Sequence, residues 1–306
     1  MNVAKLKRCP KHLHNFTGLT VAQFEMLCEA VAEVRAKRGL EQGRQRAAGG
    51  GRKAKLSVER QVLVILMYYR LYVTQMLLSY LFDLDDSNVS RLIGELRPVL
   101  QQVLPVPVQE ELLFSKAPKR RVGTLEELLK RHPELEEVLV DGTEQEIQKP
   151  KDKPRRKSRY SGKKKKHTLK TQVTSTPSGL FLHLSRSIEG RVSDLTLLRG
   201  SGLLRELPPE LAVRVDRGYD GVAQDYPERR FEQPYKARRN KPLDLIQKLL
   251  NSVQNSARVG VENALAHLKR FKLLASTYRG PEASYDDTFL TIAGLHNFRK
   301  LGELSW

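Results

Sequence analysis

The sequence predicts an α/β fold in which an α-helical region precedes a region built around a mixed sheet. Up to about residue 100, apolar residues recur every three or four positions, as they do in amphipathic helices. From Glu136 the apolar residues alternate instead, which is typical of strands. A helical stretch, a further strand and a last pair of helices follow, and this order is that of an α/β chain.

The length and charge of the chain limit its class. The 306 residues suggest two domains. Lys and Arg number 54 against 35 Asp and Glu, a formal net charge of +19, which indicates a polyanionic partner, with nucleic acid as the first candidate. No apolar run reaches the roughly 18 residues that a membrane-spanning helix needs, and the N-terminus lacks a signal-peptide pattern. We therefore expect a soluble, intracellular protein without a membrane partner.

The two cysteines, Cys9 and Cys28, are too few for a disulfide framework and fit a reducing compartment. Together with His12 and His14 they suggest zinc, but their spacing matches no common zinc site. We interpret them as ordinary surface and core residues.

The N-terminal region contains a predicted helix over residues 20–37 and then a basic, glycine-containing stretch from Arg35 to Lys55, which we interpret as a flexible linker. Three capped helices follow. Their polar caps are Ser57, Thr74 and Asp85 or Asp86, and the first two helices are predicted to end at Arg70 and Phe82.

The third of these helices has two different faces. Val89, Ile93 and Leu96 lie on an apolar face that packs. The opposite face carries four candidate DNA-binding residues: Ser87, Asn88, Ser90 and Arg91. Two short helices joined by a tight turn, the second with polar residues near its start, are typical of a helix-turn-helix. Plain packing in a helical bundle remains the alternative.

Aspartates follow two of the predicted strands. Residues 136–140, 169–173 and 180–184 alternate and can pair as an antiparallel meander, while residues 213–215 form a further strand. The first and the last run into Asp141 and Asp216. Strand ends are places where side chains meet at one rim of a sheet, so we expect the two carboxylates to lie together there.

A third acid is predicted on a helix near the C-terminus. Arg258, Glu262 and Lys269 are spaced four and seven residues apart and share one helical face, which we expect to look toward the sheet rim. Converging carboxylates need a cation to neutralise them, and two Mg²⁺ ions, with Mn²⁺ as a substitute, would clamp a phosphodiester during an in-line displacement. Asp141, Asp216 and Glu262 are therefore the predicted catalytic and metal-binding residues.

Each of these acids has a plainer interpretation. Asp141 and Asp216 each precede a glycine closely and would suit turns, while Glu262 would suit a surface pair with Arg258. Four further acids compete for the same roles, and Glu144 or Asp194 is a candidate for supporting the triad from behind. The four are Glu144, Glu146, Asp194 and Asp220.

The segment from Lys151 to Lys170 holds eleven basic residues against one acid, Asp152. A charge run is commonly a solvated loop, but this one lies between two strands of the predicted catalytic sheet. We expect it to bind the phosphate backbone, with affinity that falls steeply as salt rises. Its predicted DNA-binding residues are Arg155, Arg156, Lys157, Arg159, Lys163, Lys164, Lys165, Lys166 and Lys170.

Five segments together resemble the DDE transposases of bacterial insertion sequences, of the insertion-sequence-five type related to Harbinger elements. They are VDGTEQEIQKP, YSGKKKKHTLKTQ, GRVSDLTLLRGS, VDRGYDG and VENALAHLKRFK, in family order within about residues 57–300. The resemblance implies an RNase H-like catalytic domain with Asp141, Asp216 and Glu262 as its triad. It also implies that Arg258 and Lys269 contact DNA.

The sequence departs from the family pattern at two positions. Asn255 stands where a tyrosine is common, and Ser193 stands where a histidine often precedes the aspartate. These changes put a tyrosine-assisted step and one polar contact in doubt, and they leave the triad intact.

The sequence therefore predicts a Mg²⁺-dependent DDE transposase, a polynucleotidyl transferase and endonuclease. It would cleave the ends of its mobile element, join the 3′-hydroxyls to target DNA, and act as a homodimer on paired inverted repeats in the bacterial cytoplasm, at the nucleoid. The expected divisions are residues 1–56, an N-terminal helix and linker; residues 57–110, the helix-turn-helix domain; and residues 111–306, the catalytic domain. The alternatives are a catalytically silent, transposase-derived DNA-binding protein and an RNA-binding protein or ribonuclease.

Overall fold

The computed structural model describes residues 1–41, 55–109, 129–130, 133–237 and 242–304. The chain forms two compact units. The first contains residues 1–105, 269–276 and 287–305, and the second contains residues 106–268 and 277–286. The last two segments of the first unit lie inside the expected catalytic domain of residues 111–306, and the expected domain boundaries stay predictions.

The first unit is helical. Its first six helices are α1 (Val3–Lys7), α2 (Pro10–Thr17), α3 (Val21–Glu41), α4 (Val58–Leu71), α5 (Gln75–Phe82) and α6 (Asp86–Val103). The predicted caps are confirmed for α4 and α5, because the hydroxyls of Ser57 and Thr74 accept backbone N–H groups of their first turns. Asp85 is the N-cap residue of α6, as expected.

The expected linker from Arg35 to Lys55 needs correction at its start, and most of the rest falls on residues that the structure does not describe. Helix α3 continues to Glu41, so the stretch from Arg35 is helical at its start and not linker. Arg35 donates a hydrogen bond to Gln61 on α4, which fixes that part of α3. The remaining linker residues, 42–54, lie outside the described residues.

The second unit is built on a mixed sheet. Its strands are β1 (Val108–Gln109), β2 (Glu137–Glu146), β3 (Tyr160–Ser161), β4 (Lys166–Ser175), β5 (Phe181–Leu184), β6 (Ile188–Glu189), β7 (Ala212–Arg214) and β8 (Phe231–Glu232). The main order is β1-β5-β4-β2-β7-β8, with β3 and β6 also pairing with β4. The predicted antiparallel meander is confirmed as β2, β4 and β5, and β7 and β8 add in parallel beyond β2.

The helices of the second unit connect these strands. They are α7 (Lys153–Arg159), α8 (Asp194–Gly200), α9 (Leu203–Glu206), α10 (Val222–Asp225) and α11 (Leu245–Leu268). Val138, Val140, Val213 and Val215 are buried in one apolar cluster with residues of α8 and α9. This cluster holds the central strands in place. The strand order and the helices that connect the strands confirm the predicted mixed-sheet α/β class.

Two helices complete the chain, α12 (Lys272–Ala275) and α13 (Tyr285–Leu301). Buried residues of α13 include Leu290, Leu295 and Phe298. Within the first unit, Asn297 donates a hydrogen bond of 3.0 Å to the carbonyl oxygen of Pro105. None of the described helices is long and apolar enough to cross a membrane.

Candidate catalytic and DNA-binding site

Asp141 on β2 and Asp216, which follows β7, lie at matching positions relative to the pairing of these two strands. The parallel pairing of β2 and β7 ends with Leu139 opposite Arg214, and each aspartate lies two residues further along its own strand direction. Both are partly exposed. The main-chain N–H of Gly142 donates to Oδ1 of Asp141 at 2.8 Å, and that of Gly218 donates to Oδ1 of Asp216 at 2.7 Å.

The expectation that Asp141 ends its strand is wrong. Strand β2 continues to Glu146 because β4 pairs with it beyond the aspartate, with Asp141 opposite Val173 and Glu146 opposite Thr168. What ends near Asp141 is the pairing with β7. Beyond Asp141 the residues of β2 that are buried are polar, Thr143 and Gln145, so the apolar alternation stops although the strand continues.

Glu262 lies on α11, where its side chain is exposed between buried Val261 and Leu265. A methyl group on Gly260 would lie 2.5 Å from the carbonyl oxygen of Pro177 and 3.3 Å from Cδ1 of Leu139, so α11 packs closely against β2 at this point. The contact is two residues before Asp141 on the strand and two residues before Glu262 on the helix.

Among the described residues, no three or more His, Cys, Asp or Glu side chains form a group that could hold a metal ion. The structure thus brings Asp141 and Asp216 together without gathering Glu262 into one cluster with them, and the triad stays a prediction. The two aspartates still suit a divalent cation, because Mg²⁺ binds through one or two carboxylates together with phosphate oxygens of its substrate. Cys9 is exposed and Cys28 is buried, as expected for a surface and a core residue, and burial raises the pKa of the Cys28 thiol to about 12.

Asp194, a predicted candidate for supporting the triad, forms an ion pair with Lys170 that the sequence did not predict. Lys170 was expected to bind DNA, but its side chain is 8% exposed and its Nζ lies 3.0 Å from Oδ1 of Asp194. Lys170 also donates to the carbonyl oxygen of Val192 at 2.7 Å, and Glu144 lies 3.8 Å away. The structure therefore gives Lys170 partners inside the protein, and its contact with DNA stays a prediction.

The other residues of the basic run lie on the surface of α7 and of the hairpin between β3 and β4. Lys157, Lys163, Lys164 and Lys165 are exposed, and Lys166 pairs with Glu146 at 2.5 Å. That hydrogen bond lowers the pKa of the Glu146 carboxyl.

Two arginines of α7, Arg155 and Arg159, share Glu282 at 3.1 and 2.9 Å. Arg156 instead donates to the main-chain oxygens of Pro150 and Lys151 at 3.2 and 2.9 Å. These contacts fix the orientation of a helix made almost entirely of basic residues.

The predicted recognition residues are on the accessible face of α6. Ser87, Ser90 and Arg91 are exposed and Asn88 is half-buried. Asn88 links the turn to the helix, because its Nδ2 donates to Asp85 at 3.0 Å and its Oδ1 accepts from Arg91 at 2.9 Å. The side chain of Arg258 lies outside the described residues, and Lys269 is exposed in the first unit.

A helix-turn-helix unit, together with a mixed sheet that carries two aligned aspartates beside a basic segment, defines a DNA-processing protein with an RNase H-like domain. Residues 140–297 match the family model described as DDE superfamily endonuclease, and residues 54–105 match the helix-turn-helix of DDE superfamily endonuclease. The chain is 31% identical over 249 residues to a "Probable transposase for insertion sequence element IS702" from Microchaete diplosiphon, covering 81% of this chain and 83% of that protein. No solved structure gives a significant match. The chain belongs to the DDE transposases of insertion sequences.

Proposed function

We propose that this transposase binds the ends of its mobile element, hydrolyses a phosphodiester at each end, and joins the freed 3′-hydroxyls to target DNA. The observation that carries the proposal is the matching position of Asp141 and Asp216, each two residues beyond the last pair of the parallel strands β2 and β7. In hydrolysis, a water oxygen bonds to phosphorus as the 3′ oxygen leaves. In joining, that 3′ oxygen attacks a target phosphodiester and displaces another 3′ oxygen.

In both steps the protein would contribute carboxylates that hold the divalent ion beside the reacting phosphate. Asp141 and Asp216 would hold the divalent ion, Mg²⁺ with Mn²⁺ as a substitute, and Glu262 would complete the set. When bound, the ion supplies activation of the attacking oxygen and neutralises charge that develops at phosphorus. Phosphoryl transfer of this kind needs positioning more than a protein nucleophile.

DNA contacts divide between two surfaces. The exposed face of α6 would enter the major groove and read the terminal repeats, while the lysines of the β3–β4 hairpin and α7 would bind phosphates. Because two ends must be held at once for joining, we propose that two copies of the chain act together.

The test is Asp141→Asn. This substitution keeps the size of the side chain and removes its charge, so we expect cleavage and joining to be lost with Mg²⁺ or Mn²⁺ while binding to end-containing DNA stays within about twofold of the parent. Asp220→Asn is the matched control, because Asp220 is exposed and pairs with Lys236 at 2.9 Å. We expect it to cleave as the parent does.

The outcomes separate the candidates. Cleavage retained by Asp141→Asn would refute the catalytic assignment. Binding of end DNA by the parent protein, with no metal-dependent strand breaks, would favour the catalytically silent DNA-binding alternative.

A further inference from the structure

The carboxylate of Asp194 lies against the two glycines that follow the aligned aspartates. A methyl group on Gly142 would lie 2.7 Å from Oδ1 of Asp194. A methyl group on Gly218 would lie 2.9 Å from Oδ2 of Asp194 and 2.8 Å from Oδ1 of Asp216. One carboxylate therefore occupies the space that any side chain would need beside Asp141 and beside Asp216.

Backbone conformation does not explain these glycines. The described glycines with positive φ are Gly18, Gly179, Gly202, Gly221 and Gly302, and neither Gly142 nor Gly218 is among them. A residue with a side chain could adopt the backbone conformation of Gly142 or that of Gly218. The tight approach of Asp194 is the feature that excludes a larger residue at Gly142.

An ion pair and a helix cap hold Asp194 in this position. Lys170 on β4 is buried and lies 3.0 Å from Oδ1 of Asp194. Ser193 caps α8 by accepting the N–H of Thr196 at 3.1 Å, which fixes the start of the helix that carries Asp194. A buried ion pair that loses one member leaves an uncompensated charge, so Lys170 keeps the carboxylate in place.

We propose that Asp194 is a positioning residue of the catalytic centre. Anchored by Lys170, it sets the separation of the strand segments that carry Asp141 and Asp216, and its negative charge beside Asp216 strengthens the binding of a divalent cation there. This inference rests on the proposed function.

The test combines two substitutions, Gly142→Ala and Asp194→Ala, that act on the same small volume. The first adds a methyl group to it and the second removes the carboxylate from it. Gly142→Ala places a methyl group 2.7 Å from Oδ1 of Asp194, so that one of the two must move. A displacement of about 1 Å at such a centre costs about 100-fold in rate. We expect that loss in the cleavage rate, with the DNA concentration for half-maximal rate unchanged. In an Asp194→Ala background the space is already open, so Gly142→Ala should cause almost no further loss.

Gly200→Ala is the matched control. Gly200 is on α8, and a methyl group there would meet nothing within 4 Å, so we expect parental activity. Asp194→Asn adds a second comparison, because it keeps the shape of the side chain and removes its charge. It should retain more activity than Asp194→Ala while weakening cation binding.

Cation binding provides a measurement independent of cleavage. Calorimetric titration of the full chain with Mn²⁺ should show affinity weakened by about tenfold in Asp194→Ala and in Asp194→Asn, and unchanged in Gly200→Ala. Thermal unfolding shows which variants fold. If Gly142→Ala does not fold, the Mn²⁺ titration of Asp194→Ala decides, and unchanged affinity overturns the proposal.

The remaining outcomes are also decisive. The proposal fails if Gly142→Ala cleaves as fast as Gly200→Ala, or if the losses of Gly142→Ala and Asp194→Ala multiply in the double variant. If Asp141→Asn is inactive and Gly142→Ala is fully active, only the role of Asp194 is lost. If Asp141→Asn cleaves as the parent does, the proposed function itself fails.

Discussion

His183 on β5 is fully buried, and neither ring nitrogen has a hydrogen-bond partner among the described residues. Burial lowers the pKa of the imidazole from 6.5 to about 4, because the protonated ring would carry a charge away from water. The unfolded chain takes up this proton near pH 6.5 and the folded chain does so only near pH 4. His183 therefore couples folding to pH in the acidic range.

We predict that acid weakens the fold through this residue. The contribution of His183 to stability is largest above pH 6.5, falls as the pH drops toward 4, and changes no further below 4, with a total loss of about 3 kcal/mol. Urea unfolding at a series of pH values measures the loss. His183→Phe should remove most of this slope, while His12→Phe, a change at an exposed histidine, should keep it.

A His183→Phe variant with the parental slope between pH 6.5 and 4 would contradict this assignment. It would show that other groups take up the protons.

At the scale of single residues, sequence reasoning found Asp141 and Asp216 because apolar alternation before each residue indicates a buried strand. It named Asp194 as a candidate supporting residue but did not choose between Asp194 and Glu144, since its partner Lys170 belongs to a uniform basic run in the sequence. Burial distinguishes Lys170 from the lysines near it, and the pairing of β2 with β4 creates that burial. The sequence contains one signal for this burial. The alternation of residues in HTLKTQ predicts a strand, and Lys170 lies within it.

The basic hairpin between β3 and β4 concentrates charge in a short, ordered element. Lys165 at its tip has φ 55°, and the N–H of Lys164 donates to the hydroxyl of Ser161 at 3.1 Å. The exposed ammonium groups of this element can reach phosphates without unfolding the turn. We therefore expect the lysines of this hairpin to contribute to the salt dependence of DNA binding.

We predict that Lys164→Gln weakens DNA binding by a similar factor on all sequences and lowers the slope of log affinity against log salt by about 1. Fluorescence anisotropy with a labelled duplex at several salt concentrations measures this slope. Lys248→Gln is the control, because Lys248 is exposed on α11, outside the basic run. Equal slopes for the two variants would exclude the hairpin as a phosphate-binding element.

Elements with clear caps were predictable and those with competing signals were not. Ser57 and Thr74 marked α4 and α5 because a side-chain oxygen before an apolar repeat satisfies free N–H groups. Asp85 marked the start of α6, although its carboxylate accepts from the side chain of Asn88 and not from the backbone. Helix α7 has comparable signals, with Asp152 accepting the N–H of Arg155 and a proline in its first turn. It was missed because repulsion between like charges four residues apart disfavours an isolated basic helix. The ion pairs with Glu282, which is far away in the sequence, offset this repulsion.

At the scale of the whole molecule, the first unit is assembled from segments far apart in sequence. Gln101 on α6 donates to the carbonyl oxygen of Asp287 at 2.8 Å and to the hydroxyl of Thr291 at 3.1 Å. The guanidinium of Arg70 on α4 lies 5.4 Å from the ring centre of Phe271. No pattern in residues 57–110 reveals these partners, because long-range packing leaves no local signal in either segment.

We predict that a chain ending at Asp286 loses the fold of the first unit. It lacks Leu290, Leu295 and Phe298, all buried, and removing even one such side chain costs about 2–5 kcal/mol. Hydrogen exchange of α4 to α6 and binding of end DNA should both show the loss. A chain ending at Gly302 keeps these residues and is the control, and parental protection of α6 in the shorter chain would contradict the prediction.

The C-terminal helix thus constrains how a damaged gene copy can behave. Under the proposed function, a premature stop codon before codon 287 would remove the fold of the helix-turn-helix unit, so a truncated product could not occupy the element's ends and compete with the full-length protein. A non-cutting competitor would have to arise from a point change in the active centre, within an otherwise full-length reading frame.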